Sequence, residues 1–119
     1  MMNYNHPLIK EALEHVQKYA DKVDSIIEIF KDSFEYATFT FDFELLNDLK
    51  KDINETLSLI ENYLLDQDQK YKKLHKILKI FRVYDDSKYL VLLWDFKRPI
   101  IYRAQKLNEL LESIDKIFT

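Results

Sequence analysis

The residues best suited to chemistry lie on either side of an apolar run at 89–94. Asp85 and Asp86 precede the run, and Asp95 and Lys97 follow it. Two carboxylates can hold a divalent cation, and a lysine beside them can steady a water that attacks a phosphodiester. Such a site is usually carried by a central sheet, and this chain offers two strands at most. A metal-dependent nuclease is therefore only a remote alternative.

Other kinds of chemistry lack the residues they need. The chain has no cysteine and no glycine, which excludes thiolate metal sites, disulfides, phosphate-cradling loops and nucleophile elbows. Of the three histidines, only His15 has a carboxylate, Glu11, on the same helix face, and two ligands do not make a metal site. We therefore predict a protein that is not an enzyme, with no catalytic residue, no metal and no cofactor.

Charge is divided unevenly along the chain. Residues 1–69 carry 15 Asp or Glu against 6 Lys, whereas residues 70–106 carry 11 Lys or Arg against 3 Asp. The formal net charge of −3 hides this division. Polarity of this kind favours a surface for a charged macromolecule over a pocket for a small substrate.

The basic segment is the first candidate surface. Three of its lysines, Lys72, Lys76 and Lys79, share one helix face. Such a face can follow a phosphate backbone through counterion release, which makes sequence-nonspecific RNA or DNA binding the alternative function. The commoner arrangement is a solvated face that balances the acidic half. The candidate nucleic-acid-binding residues are Lys70, Lys72, Lys73, Lys76, Lys79, Arg82, Arg98 and Arg103.

The acidic first helix is the second candidate. Glu14, Asp21, Glu28 and Glu35 recur every seven residues, about 10.5 Å apart along one edge. A rigid carboxylate row can occupy a basic groove that normally holds nucleic acid, as inhibitors that mimic DNA do. The alternative is an ordinary solvated face, since lysines interrupt the row.

Aromatic residues at 36–43 are the third candidate. Tyr36, Phe39 and Phe41 belong to a run that either closes the end of a bundle, the commoner case, or anchors a partner, because aromatics are enriched at buried interface centres. Trp94 and Phe96 are expected in the core.

Apolar periodicity predicts mostly helices. Apolar residues recur at 3–4 spacing over 9–34, 45–64 and 71–81, and again after Pro99, where we expect the last helix to begin. Residues 36–43 alternate as a strand would, and 89–96 fits either a helix or a strand. Residues 66–69 interrupt the stripe, which indicates either a corner, the interpretation we favour, or a polar turn within one long helix. We predict an all-α fold: a four- or five-helix bundle forming one domain over 1–119, with one two-stranded element between 36–43 and 89–95 as an option.

Together these features predict a small helical interaction protein: an adaptor, small subunit or inhibitor with a protein partner, and a homodimer as an option. The first residues lack the basic start and apolar run of a signal peptide. The longest apolar run falls far short of the ~20 residues that span a bilayer. We therefore expect a cytoplasmic protein with no membrane partner.

Overall fold

Three long helices form the described part of the protein. The computed structural model describes residues 6–80 and 86–119 of the chain. Helix α1 is Pro7–Thr40, α2 is Phe43–Ile80 and α3 is Asp86–Phe118. Each helix contacts the other two, and the molecule measures 58 × 23 × 20 Å. The all-α prediction is confirmed for these residues, but their helices number three, fewer than the four or five expected.

Contacts between the helices fix their directions. Tyr19 of α1 stacks on Tyr63 of α2, and Phe43 at the start of α2 meets Phe118 at the end of α3. Helix α2 is therefore antiparallel to both neighbours, and α1 and α3 run parallel. This up-down-up arrangement follows from short connections between amphipathic helices.

The core is built from the apolar stripes that the sequence shows. Val16, Ile27, Ile53 and Leu107 belong to a single cluster of buried side chains contributed by all three helices. Its members are Ile9, Val16, Ala20, Val23, Ile27, Phe30, Ala37, Leu46, Leu49, Ile53, Ile60, Tyr71, Leu74, Leu92, Phe96, Ile100, Leu107 and Ile114. The 3.6-residue period therefore identified most of the core.

Two residues connect α1 to α2. Phe41 takes a left-handed conformation with φ of 52°, and the backbone N–H groups of Phe41 and Asp42 donate to Thr38 and Ala37. This is a Schellman ending, in which glycine usually occupies the left-handed position. Asp42 then caps α2, because its Oδ1 accepts from the Leu45 N–H at 3.1 Å.

The predicted strand at 36–43 is wrong. Its first five residues continue α1, and the pair Phe41–Asp42 turns the chain into α2. Residues 89–95 lie within α3, so the optional two-stranded element is absent from the described residues. Alternation misled because Phe39 and Phe41 point to solvent, while Ala37 continues the helical core stripe.

The corner favoured at 66–69 is wrong, and its alternative, a polar turn within one long helix, is confirmed. The helix start predicted at Pro99 is also wrong. Helix α2 runs through 66–69, where Gln67 takes a core position with 1% of its surface exposed. Pro99 lies inside α3, where the proline has no N–H to donate and the helix loses one backbone hydrogen bond. These two errors account for the overestimated number of helices.

In the described part of the chain, no helix is both long enough and apolar enough to cross a membrane.

Candidate interaction surfaces

The antiparallel fold sorts charge along the long axis. One half of the bundle, formed by 21–62 and 99–119, carries 14 Asp or Glu against 7 Lys or Arg. The other half, formed by 6–20, 63–80 and 86–98, carries 10 Lys or Arg against 6 Asp or Glu. The folded molecule therefore has one acidic half and one basic half, which we name so below.

Large aromatic side chains crowd the acidic end. Phe39 is 88% exposed and Phe41 is 70% exposed, and the rings of Phe43 and Phe118 lie with their centres 5.9 Å apart. We call this surface the aromatic end; its members are Tyr36, Phe39, Phe41, Phe43 and Phe118. The sequence singled out the first three, while Phe118 joins them only through the fold.

Phe41 is unfavourable to the isolated fold in two ways. A non-glycine residue in the left-handed region costs roughly 1–2 kcal/mol, and a phenyl ring exposed to water gains nothing from the hydrophobic effect. Strain and exposed apolar surface of this kind concentrate at functional sites. Glycine or asparagine would satisfy the same turn at lower cost.

The acidic row reaches this end. Glu14, Asp21, Glu28 and Glu35 are all exposed along the outer face of α1, and Glu35 lies one turn before Phe39. Only Asp21 among them accepts a side-chain hydrogen bond within the described residues, from Gln17. The row therefore runs from the basic half at Glu14 down to a carboxylate edge beside the aromatic end.

The basic segment of α2 is divided between two sides of the helix. Lys72, Lys76 and Lys79 line an open groove together with Asp68 and His75. Lys70 and Lys73 are turned instead toward α1, where they line a separate cavity. All five lysines are exposed, and none has an ion pair among the described residues. Arg82 lies outside the described residues.

The two remaining arginines differ. Arg98 is exposed and lies 3.7 Å from Asp95 of its own helix. Arg103 instead bridges to α1, donating from Nε and Nη2 to the two carboxylate oxygens of Asp24, each at 2.9 Å, and from Nη1 to the Pro99 carbonyl at 3.1 Å. We therefore leave Arg103 out of any proposed nucleic-acid surface.

Apolar side chains are also exposed on the first half of α3. Phe96 is buried as expected, but the expectation for Trp94 is wrong, since this indole is 52% exposed. Leu90 and Val91 lie one turn before Trp94 and are exposed as well. An amphipathic helix in a three-helix bundle buries only one stripe, and Trp94 lies opposite that stripe.

A cavity between α1 and α2 was not predicted from the sequence. It has a volume of about 210 Å³ and lies in the basic half. Its lining residues are Leu8, Glu11, Ala12, His15, Lys70, Tyr71, Lys73 and Leu74. The spacing within each helix gave no signal, because the cavity arises only where residues 8–15 meet residues 70–74.

Buried polar groups adjoin this cavity. Tyr63, Gln67 and Tyr71 follow one another at four-residue steps on α2, and the two hydroxyls and both amide atoms are buried with no hydrogen-bond partner among the described residues. Burial raises the pKa of the Tyr63 phenol to about 12, with smaller contributions from Tyr19 and Asp66. Burial likewise raises the pKa of Tyr71. Both phenols therefore keep their protons to a higher pH than an exposed tyrosine does.

Carboxylates do not gather into a metal centre in the part of the chain that the structure describes, where no three His, Asp or Glu side chains cluster. Of the nuclease-like residues, Lys97 pairs with Asp68, Asp95 lies near Arg98, and Asp85 falls outside the described residues. Glu11 and His15 both line the cavity without a third ligand.

No family model, no curated protein and no solved structure matches the chain.

Proposed function

We propose that this chain is a non-enzymatic adaptor, small subunit or inhibitor that docks a protein partner at its aromatic end. The observation that carries the proposal is the exposure of Phe39, in the last turn of α1, and of Phe41, in the strained two-residue turn that follows. A protein selected for stability alone would place glycine and polar residues there.

Chemistry at the aromatic end specifies the kind of partner. Five large aromatics at one end supply the apolar centre of an interface, since each buries 150–250 Å² when fully covered and aromatic anchors dominate binding energy. Exposed carboxylates precede two of these rings by one turn of α1, Asp32 before Tyr36 and Glu35 before Phe39. The partner is therefore a protein with an apolar pocket and a basic rim.

Rigidity supports this use of the turn. The Schellman hydrogen bonds and the Asp42 cap hold the connection between two long helices, so the aromatic side chains are presented on a fixed backbone. A surface fixed before binding loses little conformational entropy on association. Acidic residues around it raise the association rate toward a basic partner.

Quantitative affinity capture from the source cells tests the proposal. The bait is the full chain, compared with a Phe39→Ser/Phe41→Gly variant and with a matched control, Leu90→Ser/Trp94→Ser, which removes exposed apolar groups from the other half. We expect a partner whose recovery falls at least tenfold with the first variant and not with the second. Equal recovery with all three baits would contradict the proposal.

A second candidate function, backbone-directed RNA or DNA binding, has its own specific support. Lys72, Lys76 and Lys79 share one open groove and have no ion pair among the described residues. Lysines so arranged can neutralise successive phosphates, and binding then weakens steeply with salt. The overall pI near 5.6 lies far below that of the usual nucleic-acid-binding domain, which ranks this function second.

Fluorescence anisotropy with labelled single- and double-stranded RNA and DNA at two salt concentrations tests this second function. Reversing Lys72, Lys76 and Lys79 to Glu should abolish binding, whereas the same reversal of Lys22, Lys31 and Lys51, exposed in the acidic half, should leave much of it. Absence of binding at low salt, or equal losses from both triple variants, would rule it out.

A further inference from the structure

We propose that the cavity between α1 and α2 is a binding site for a small aromatic carboxylic acid. The inference is independent of docking at the aromatic end, because the cavity lies in the opposite half of the bundle. It rests on three features: an apolar floor, a cationic rim and the buried Tyr71 hydroxyl, which has no hydrogen-bond partner among the described residues.

The volume of the cavity and its apolar floor limit the size and polarity of the ligand. Leu8, Ala12 and Leu74 supply apolar surface within a volume of about 210 Å³. An apolar cavity of about 150 Å³ accommodates benzene. A single aromatic ring with one short polar substituent therefore fits, whereas a nucleotide or a drug-sized molecule exceeds the space.

The rim sets the charge of the ligand. Lys70 and Lys73 lie on the same helix edge, both line the cavity, and neither pairs with an acid in the described part of the chain. Glu11 offsets one of these two charges, which leaves a net positive rim. An ammonium group without a fixed partner is available to a carboxylate, and a charge-assisted hydrogen bond is among the stronger polar contacts.

The buried polar groups beside the cavity determine which hydrogen bonds a ligand can accept. Gln67 is 1% exposed, Tyr71 is 6% exposed, and neither has a hydrogen-bond partner among the described residues. Tyr71 lines the cavity, and His15, which also lines it, contacts the Tyr63 ring with ring centres 5.6 Å apart. Gln67 lies one turn behind Tyr71 on α2, outside the lining of the cavity, so among the described residues Tyr71 is the unpartnered group that a ligand can reach.

Such buried polar groups are costly for folding alone. A leucine at position 67 would fill a core position without leaving an amide unpaired, and buried polar groups that lack partners are rare in native proteins. Of these groups the Tyr71 hydroxyl belongs to a residue that lines the cavity, and a carboxylate bound there would accept the hydrogen bond that this hydroxyl lacks among the described residues.

Titration of the full chain with benzoate and phenylacetate, followed by backbone amide chemical shifts, tests the proposal. We expect saturable binding with a dissociation constant on the order of 0.1 mM, and shift changes confined to residues 8–15 and 67–74. Benzyl alcohol, which has the ring without the charge, should bind at least tenfold more weakly.

Variants locate the site. Lys70→Glu/Lys73→Glu should lose benzoate binding at least tenfold, while the matched reversal Lys72→Glu/Lys76→Glu on the other side of α2 should change it less than threefold. Ala12→Met should fill the cavity and abolish binding in a chain that stays folded, which keeps the test valid if the charge variant fails to fold. Absence of saturable shifts, or equal losses from both lysine pairs, would overturn the proposal.

Discussion

Arg103 holds Asp24 across the interface between α3 and α1 through two parallel hydrogen bonds of 2.9 Å. The paired residues lie 79 positions apart in the chain. The guanidinium is mostly shielded from solvent, and it also donates to the Pro99 carbonyl. This two-pronged contact fixes the register between the two parallel helices. Because Arg103 is engaged in it, its guanidinium is not available to bind a phosphate.

Replacing Arg103 with Lys should lower the free energy of unfolding by about 1 kcal/mol, because a lysine cannot make the two-pronged contact. The measurement is urea denaturation at pH 7. The matched control is Lys50→Met, which breaks the more exposed pair with Asp115 and should cost less than about 0.5 kcal/mol. Equal losses from the two variants would show that the two-pronged contact has no special role.

Replacing Phe41 with Gly should raise the free energy of unfolding by about 1 kcal/mol. Glycine occupies the left-handed region without strain, and the ring of Phe41 is largely exposed. For a chain of this length the change corresponds to roughly 4 °C in melting temperature. Calorimetry measures it, with Phe39→Gly as a control that should destabilise, because residue 39 is helical. A destabilised Phe41→Gly would mean that the Phe41 ring supports the fold.

Replacing Gln67 with Leu should raise the free energy of unfolding by about 1–2 kcal/mol, because it removes a buried amide with no partner among the described residues. Chemical denaturation provides the measurement, and Gln69→Leu, at an exposed position of the same helix, is the control with little expected change. If the Gln67→Leu variant proved less stable than the unaltered chain, the amide would have to form hydrogen bonds that support the fold.

Stability should fall as the pH rises above about 10. The Tyr63 pKa is raised to about 12 in the folded protein, whereas the unfolded phenol titrates near 10. Since the unfolded state releases its proton first, stability is full below pH 10 and is lost as the pH rises toward 12. The measurement is melting temperature as a function of pH, and the fall above pH 10 should be smaller in the Tyr63→Phe variant than in the unaltered chain. A profile unchanged by that substitution would contradict the burial of the phenol.

Much of the fold follows from periodicity, and the exceptions have physical reasons. The stripe from Ile9 to Phe34 predicted α1 because each turn buries one side of the helix. At position 67 a polar residue occupies the core, so a rule based on apolar residues predicted a break. At Pro99 a residue that usually begins a helix is tolerated inside one, because packing along α3 outweighs one lost hydrogen bond.

The candidate sites depend more on contacts between helices than on spacing within each helix. Phe39 and Phe41 were noticed from composition, but their exposure and the left-handed turn emerge only from how α1 meets α2. The cavity joins residues about sixty positions apart, and Phe118 reaches the aromatic end from the other end of the sequence. Single-sequence spacing carries no information on such pairings.

Site-specific photo-crosslinking tests the central claim most directly. The full chain carries benzoylphenylalanine in place of Phe39, and a matched chain carries it at Gln105, an exposed position on the outer side of α3. In the source cells we predict a discrete adduct with one protein from position 39, none from position 105, and loss of the adduct when Phe41→Gly is added. Adducts of equal yield from both positions, or none from position 39, would contradict the claim that the aromatic end is the docking surface.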